Sequence, residues 1–127
     1  MALLKKVAID TNMLTAMLEF KIDVFEEITK KLGKIEFLIL EQTIEELEKI
    51  KNTKGKEKKK ARFALKVLEK KKWRLEKIPN KNCDDALLEL SEKAIVATND
   101  KELKKRIKEN GGEILFIRQK KFIEFDG

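Results

Sequence analysis

Apolar residues along this chain occur in short continuous runs and in longer segments whose apolar positions lie three and four apart. The first kind predicts strands. Residues 5–9 form one, ending at Asp10, and residues 35–40 form a second, interrupted only by Glu36. Residues 73–78 (closed by Pro79), 94–97, 113–117 and 122–125 complete the strand candidates. The second kind predicts helices. Val24, Phe25, Ile28 and Leu32 mark a helix over 23–32, stopped by Gly33. Ile44, Leu47 and Ile50 mark one over 43–50, and Ala61, Ala64, Leu65 and Leu68 one over 61–68. Two more cover 84–93 and 101–109, the latter ended by Gly111 and Gly112. Residues 51–60, polar and basic around Gly55, read as a loop.

Strands alternating with helices predict an α/β fold: a three-layer α/β/α sandwich around a central, mostly parallel sheet. A length of 127 residues suits one domain spanning 1–127. In such sheets ligands bind beyond the carboxyl ends of the strands, which directs attention to acidic residues. Asp10 follows the first strand, and Asp100 follows the strand over 94–97. Asp84 and Asp85 open a helix, and Glu45 and Glu46 lie in the helix after Leu40. Carboxylates converging on one sheet edge repel one another, and a divalent cation relieves that repulsion. Such an ion promotes phosphodiester hydrolysis. The same aspartates also suit helix capping, since Asp10, Asp84 and Asp100 stand at or just before predicted helix starts. Spacing alone leaves both roles open.

Helical geometry separates the members of each acidic pair. At about 100° per residue, Cys83, Leu87, Leu90 and Ala94 share a buried face, with Asp84 on its flank and Asp85 nearly opposite. Glu46 lies on the flank of the Thr43, Leu47 and Ile50 face, and Glu45 points away. Asp84 and Glu46 are therefore the expected ligands, and Asp85 and Glu45 are expected to face solvent.

Composition narrows the chemistry. The chain has no histidine, which excludes Ser/His/Asp triads, Cys/His pairs and imidazole acid–base catalysis. Its single cysteine, Cys83, excludes an intrachain disulfide and an ordinary zinc site, and reads as a small core residue. Any metal is then a hard, oxygen-loving one such as Mg2+ or Mn2+. Lys and Arg number 30 against 23 Asp and Glu, a balance that suits nucleic acid and equally a Lys- and Glu-rich thermophile surface. Lys58, Lys59, Lys60 and Arg62 are candidates for tracking an RNA backbone, as are Arg118, Lys120 and Lys121; a solvated surface is the alternative. Trp73 suits half-buried packing better than stacking on a base. The N-terminal six residues are too short in apolar content for a signal peptide, and no apolar run approaches the roughly 20 residues of a membrane span. A cytoplasmic protein without a membrane partner is expected.

Four segments resemble the motifs of PIN-domain ribonucleases, in order. Val7-Ala8-Ile9-Asp10-Thr11-Asn12 is similar to the opening motif, an apolar strand followed by Asp-Thr-Asn. Ile44-Glu45-Glu46-Leu47 is similar to the second, Asp84-Asp85-Ala86-Leu87-Leu88 to the third, and Ile95-Val96-Ala97-Thr98-Asn99-Asp100 to the fourth. The resemblance spans nearly the whole chain. It implies an α/β/α endoribonuclease in which Asp10, Glu46, Asp84 and Asp100 surround one or two Mg2+ or Mn2+ ions, and water attacks the RNA phosphodiester. Thr11, Asn12 and Thr98 would orient the carboxylates, with helix capping as their other reading. The paired Asp84-Asp85 and the run from Ile95 to Arg106 look most like the subgroup that cleaves pre-ribosomal RNA. Toxin-type members of toxin–antitoxin pairs share the domain and the acids. The implied partners are RNA and either a ribosome-assembly factor or an antitoxin, with a homodimer also compatible. A catalytically silent RNA-binding or assembly module is the remaining alternative, and it requires one of the four acids to be missing.

Overall fold

Six strands form one sheet in the order β3-β2-β1-β4-β5-β6. The computed structural model describes residues 4–127, so the expectation that the N-terminus is no signal peptide falls partly on residues 1–3, outside the described residues. The elements are β1 (Lys5–Ile9), α1 (Thr11–Phe20), α2 (Val24–Leu32), β2 (Ile35–Leu40), α3 (Glu41–Lys51), α4 (Gly55–Lys70), β3 (Arg74–Glu76), α5 (Cys83–Leu90), β4 (Ile95–Ala97), α6 (Lys101–Glu109), β5 (Ile114–Arg118) and β6 (Phe122–Asp126). Strands β1 to β5 pair in parallel and β6 returns antiparallel to β5.

The period of two along each strand divides the apolar residues between two cores. Val7, Ile9, Phe37 and Ile39 face one side, where they pack with buried residues of α1, α2, α3 and α4. Ala8, Leu38, Leu40 and Val96 face the other side, against α5 and α6. The result is the expected α/β/α sandwich. Strand order runs one way from β1 through β2 to β3, and the other way from β4 to β5. The reversal lies between β1 and β4, so their carboxyl ends border the crevice where open α/β sheets bind ligands.

Three expectations need correction. Helix α1 was not expected. Its buried face includes Thr11 and Thr15 among Met13, Leu14 and Met17, so polar residues interrupt the apolar stripe. Residues 55–60 are not a loop: α4 begins at Gly55, leaving only residues 52–54 between helices. Lysine is a good helix former and needs no apolar face where the first turns meet solvent. Strand β3 is shorter than residues 73–78: before it half-buried Trp73 packs against the core with its Nε1 donating to the Leu68 carbonyl at 2.8 Å, and after it the Ile78 carbonyl accepts from Gln42. Among the described residues no helix is long and apolar enough to cross a membrane.

Candidate active site

Asp10 directly follows β1 and is 4% exposed. Its backbone N–H donates to the Ala97 carbonyl at 3.0 Å, continuing the pairing of β1 with β4. Although it stands at the N-cap of α1, its side chain makes no capping bond there. Instead Asp10 Oδ2 accepts from Thr98 Oγ1 at 2.8 Å. Burial is the main force lifting the Asp10 carboxyl from 3.8 to about 6. The Thr98 hydroxyl and the Thr11 amide pull it back, and the charges of Asp84 and Glu46 push it further up.

Thr98, fully buried after β4, joins two of the acids. Its hydroxyl donates to Asp10 and accepts from the Asp100 backbone N–H at 3.1 Å. Asp100 does cap α6: its Oδ1 accepts from Leu103 N at 2.9 Å. Asn99, exposed at the turn, pins this segment to β5 by accepting from Ile117 N at 2.7 Å.

The other acids are carried by helices. Glu46, half-buried on α3, accepts from Thr11 Oγ1 at 3.3 Å. Asp84 lies in the first turn of α5 but is not its cap; Asn82 is, accepting from Asp85 N at 2.8 Å. Partial desolvation raises the pKa of Asp84, and the nearby Asp100 and Glu46 raise it further. Asp10, Glu46, Asp84 and Asp100 thus share one electrostatic neighbourhood. The expectation for the second α5 aspartate needs correction. Asp84 is the exposed residue of the pair, whereas Asp85 is half-buried and accepts from Arg106 Nη2 at 3.0 Å. It points toward α6, a contact that a helical wheel of α5 alone does not contain. Glu45 is exposed, as expected.

The remaining candidates divide. Thr11 and Thr98 bond the acids directly, whereas Asn12 is exposed and donates to none of the four. Lys58, Lys59 and Arg62 lie on α4, and Lys60 pairs with Glu19 of α1 and, at 3.3 Å, with Glu57. Sequence reasoning missed two polar contributors. Gln42 Nε2 donates to the carbonyls of Ile78 (2.7 Å) and Lys81 (2.9 Å), tying the α5 approach to α3. Cys83 is half-buried rather than core, with Sγ 3.5 Å from Thr43 Oγ1 and 3.9 Å from Thr11 Oγ1. Burial pushes its thiol to about 12, so it stays protonated beside the acids. The signals available were that Cys83 adjoins Asp84 and that Gln42 lies one helical turn before Glu46.

The donor set is carboxylate oxygen, with a thiol held neutral, which fits a hard divalent cation and disfavours a soft one. The charges that perturb Asp10 are all negative. Among the described residues no three carboxylate or thiol side chains are already placed to hold an ion. A cation would have to draw them together, and exposed Asp84 and half-buried Glu46 have the freedom for that.

Residues 7–120 match the family model described as a PIN like domain. Over 129 residues the chain is 38% identical to Ribonuclease VapC4 of Methanocaldococcus jannaschii, covering 96% of this chain and 97% of that protein. It is also 38% identical over 122 residues to Ribonuclease VapC9 of Archaeoglobus fulgidus, covering 91% and 87%. The solved structure of the PIN domain endonuclease Utp24 superposes with a TM-score of 0.80 at 30% identity, covering 95% of this chain and 90% of that one.

Proposed function

The chain belongs to the PIN-domain ribonuclease family, and from that premise we propose that it is an endoribonuclease dependent on Mg2+ or Mn2+. Asp10, Glu46, Asp84 and Asp100 would hold the ion. The observation that carries this reading is a buried aspartate at the switch point of the sheet, facing two further carboxylates. Holding a buried carboxylate beside like charges is costly unless a cation compensates them. When bound, such an ion supplies charge neutralisation and activation of water for phosphodiester hydrolysis.

The chain's own residues divide the remaining work. Thr98 holds Asp10 and the Asp100 backbone in fixed relation through one hydroxyl. Thr11 orients Glu46 from α1, and Gln42 keeps the start of α5 against α3 so that Asp84 meets Glu46. Asp84, exposed on the rim, would meet substrate as well as the ion. Purified protein should cleave single-stranded RNA with Mg2+ or Mn2+ and stop when the ion is chelated. Cleavage that survives exhaustive chelation would overturn the metal dependence.

A second reading concerns the setting. The VapC ribonucleases match at higher identity than Utp24, which favours a toxin-type role over pre-ribosomal RNA processing. Expression of the chain alone should then arrest growth, and Asp10→Asn should relieve the arrest. Normal growth with accumulating active enzyme would favour the processing role.

A further inference from the structure

The sequence directs attention to residues 58–62 for RNA contact, but cations on other elements stand beside the acids. Between α3 and α5 lies a groove of about 460 Å³ lined by Glu46, Asp84 and Asn82 together with Lys49. In the last turn of α3, Lys51 pairs with Glu48 at 2.9 Å, while Lys49 takes part in no ion pair among the described residues. Its ammonium therefore borders the acid site, with Glu45 of the same helix lining the groove beside it but no carboxylate of the described residues in direct ion-pair contact.

Where α5 meets α6, Arg106 donates to Asp85 at 3.0 Å. The side chain is 41% exposed, and this bond engages one of the five N–H donors of a guanidinium. Asp85 directly follows Asp84 in the first turn of α5, so this bond brings the guanidinium to the turn that carries the site acid. Asp85 thus fixes the guanidinium beside Asp84 and leaves donors available.

We propose that Lys49 and Arg106 are the phosphate-holding side chains of this site, gripping the RNA backbone phosphates adjacent to the one that is cleaved. The proposal rests on the ribonuclease reading above. A substrate polyanion approaching four carboxylates is repelled unless cations receive its neighbouring phosphates. These two side chains lie on helices that border α5, the element carrying Asp84. Their chemistry differs. The fixed fork of Arg106 suits two phosphate oxygens at once, whereas Lys49 acts as a point charge on a flexible stem.

The test is equilibrium binding of a short fluorescein-labelled single-stranded RNA to the full chain in chelator, followed by anisotropy across a salt series. Lys49→Ala and Arg106→Ala should each weaken binding about tenfold at low salt and flatten the log–log salt slope by about 0.7, the share of one phosphate on a single strand. Lys30→Ala, removing an exposed α2 lysine that pairs with Glu26 and Glu27, should change neither. Lys49→Arg should restore binding fully, and Arg106→Lys should restore the slope but only part of the affinity. If Arg106 merely ties α5 to α6, Arg106→Ala will lower the melting temperature and leave the slope untouched. Unchanged slopes in both alanine variants, with wild type cleaving RNA normally, would overturn the proposal. Failure of the underlying reading has a different signature: wild-type protein that neither binds RNA nor cleaves it in Mn2+.

Discussion

Two halves of the acidic site are built in different ways. Asp10 and Asp100 leave adjacent parallel strands, and a single buried hydroxyl, that of Thr98, bonds to both residues. Glu46 and Asp84 extend from α3 and α5, where the ties are a 3.3 Å bond from Thr11 and the Gln42 contacts to a loop. The strand-borne half is set in place by the sheet and bears the desolvation cost at Asp10. The helix-borne half is more exposed and adjustable. On the reading proposed above, in which the site takes a cation and a polyanion, both properties help, since rigid placement reduces reorganisation and more exposed side chains can close around what arrives.

The largest effect should come from the rigid half. Asp10→Asn removes a buried carboxylate charge with little change of volume and should lower RNA cleavage at least about a thousandfold, ~4 kcal/mol of barrier. The same substitution should stabilise the ion-free protein. Because the folded carboxyl titrates at about 6 rather than 3.8, the folded state binds a proton more tightly than the unfolded chain. That contribution to stability is complete below the unfolded value and is lost as pH rises through about 6. In chelator, the melting temperature of Asp10→Asn should therefore move increasingly above wild type across that interval. Parallel melting curves at all pH values would show that burial does not strain Asp10.

Next come the helix-borne acids. Asp84→Asn and Glu46→Gln should each lower cleavage about a hundredfold, ~2.7 kcal/mol, with weaker Mn2+ binding by calorimetry and little change in ion-free stability. If either matches Asp10→Asn in stabilising the ion-free fold, the contrast between the two halves is wrong. Thr98→Val keeps shape but leaves the Asp100 N–H and the Asp10 carboxylate without their shared partner. It should reduce thermal stability by about 1–3 kcal/mol and cleavage about tenfold. Wild-type behaviour would mean that the strands alone place the acids.

The smallest effects belong to the two neighbouring acids. Asp85→Asn and Glu45→Gln should stay within a few-fold of wild type in cleavage rate. A rate assay that reversed the order, with Asp85 and Glu45 essential and Asp84 and Glu46 dispensable, would reassign the ligands and the register of both helices.

Much of this molecule follows from local patterning. Continuous apolar runs along 5–9 and 35–40, with helical spacing between strands, determine an α/β sandwich, because each face of the sheet must be covered by an apolar helix face. The absence of histidine and the placement of Asp10 and Asp100 after strands put carboxylates, rather than imidazoles, at one sheet edge. Other features depended on contacts between residues far apart in the chain. The buried threonines of α1 gain their partners from elsewhere: Thr11 bonds Glu46, 35 positions away. Asp10 has to be distinguished from a cap by Thr98, 88 positions away. The assignment of Asp85 to α6 and of Asn82 to capping turned on Arg106 and on local backbone geometry, neither visible in a helical wheel. Periodicity records which face of an element is apolar. It does not record which polar groups meet across elements, and those meetings decide whether a carboxylate is a cap, a tie or part of the site.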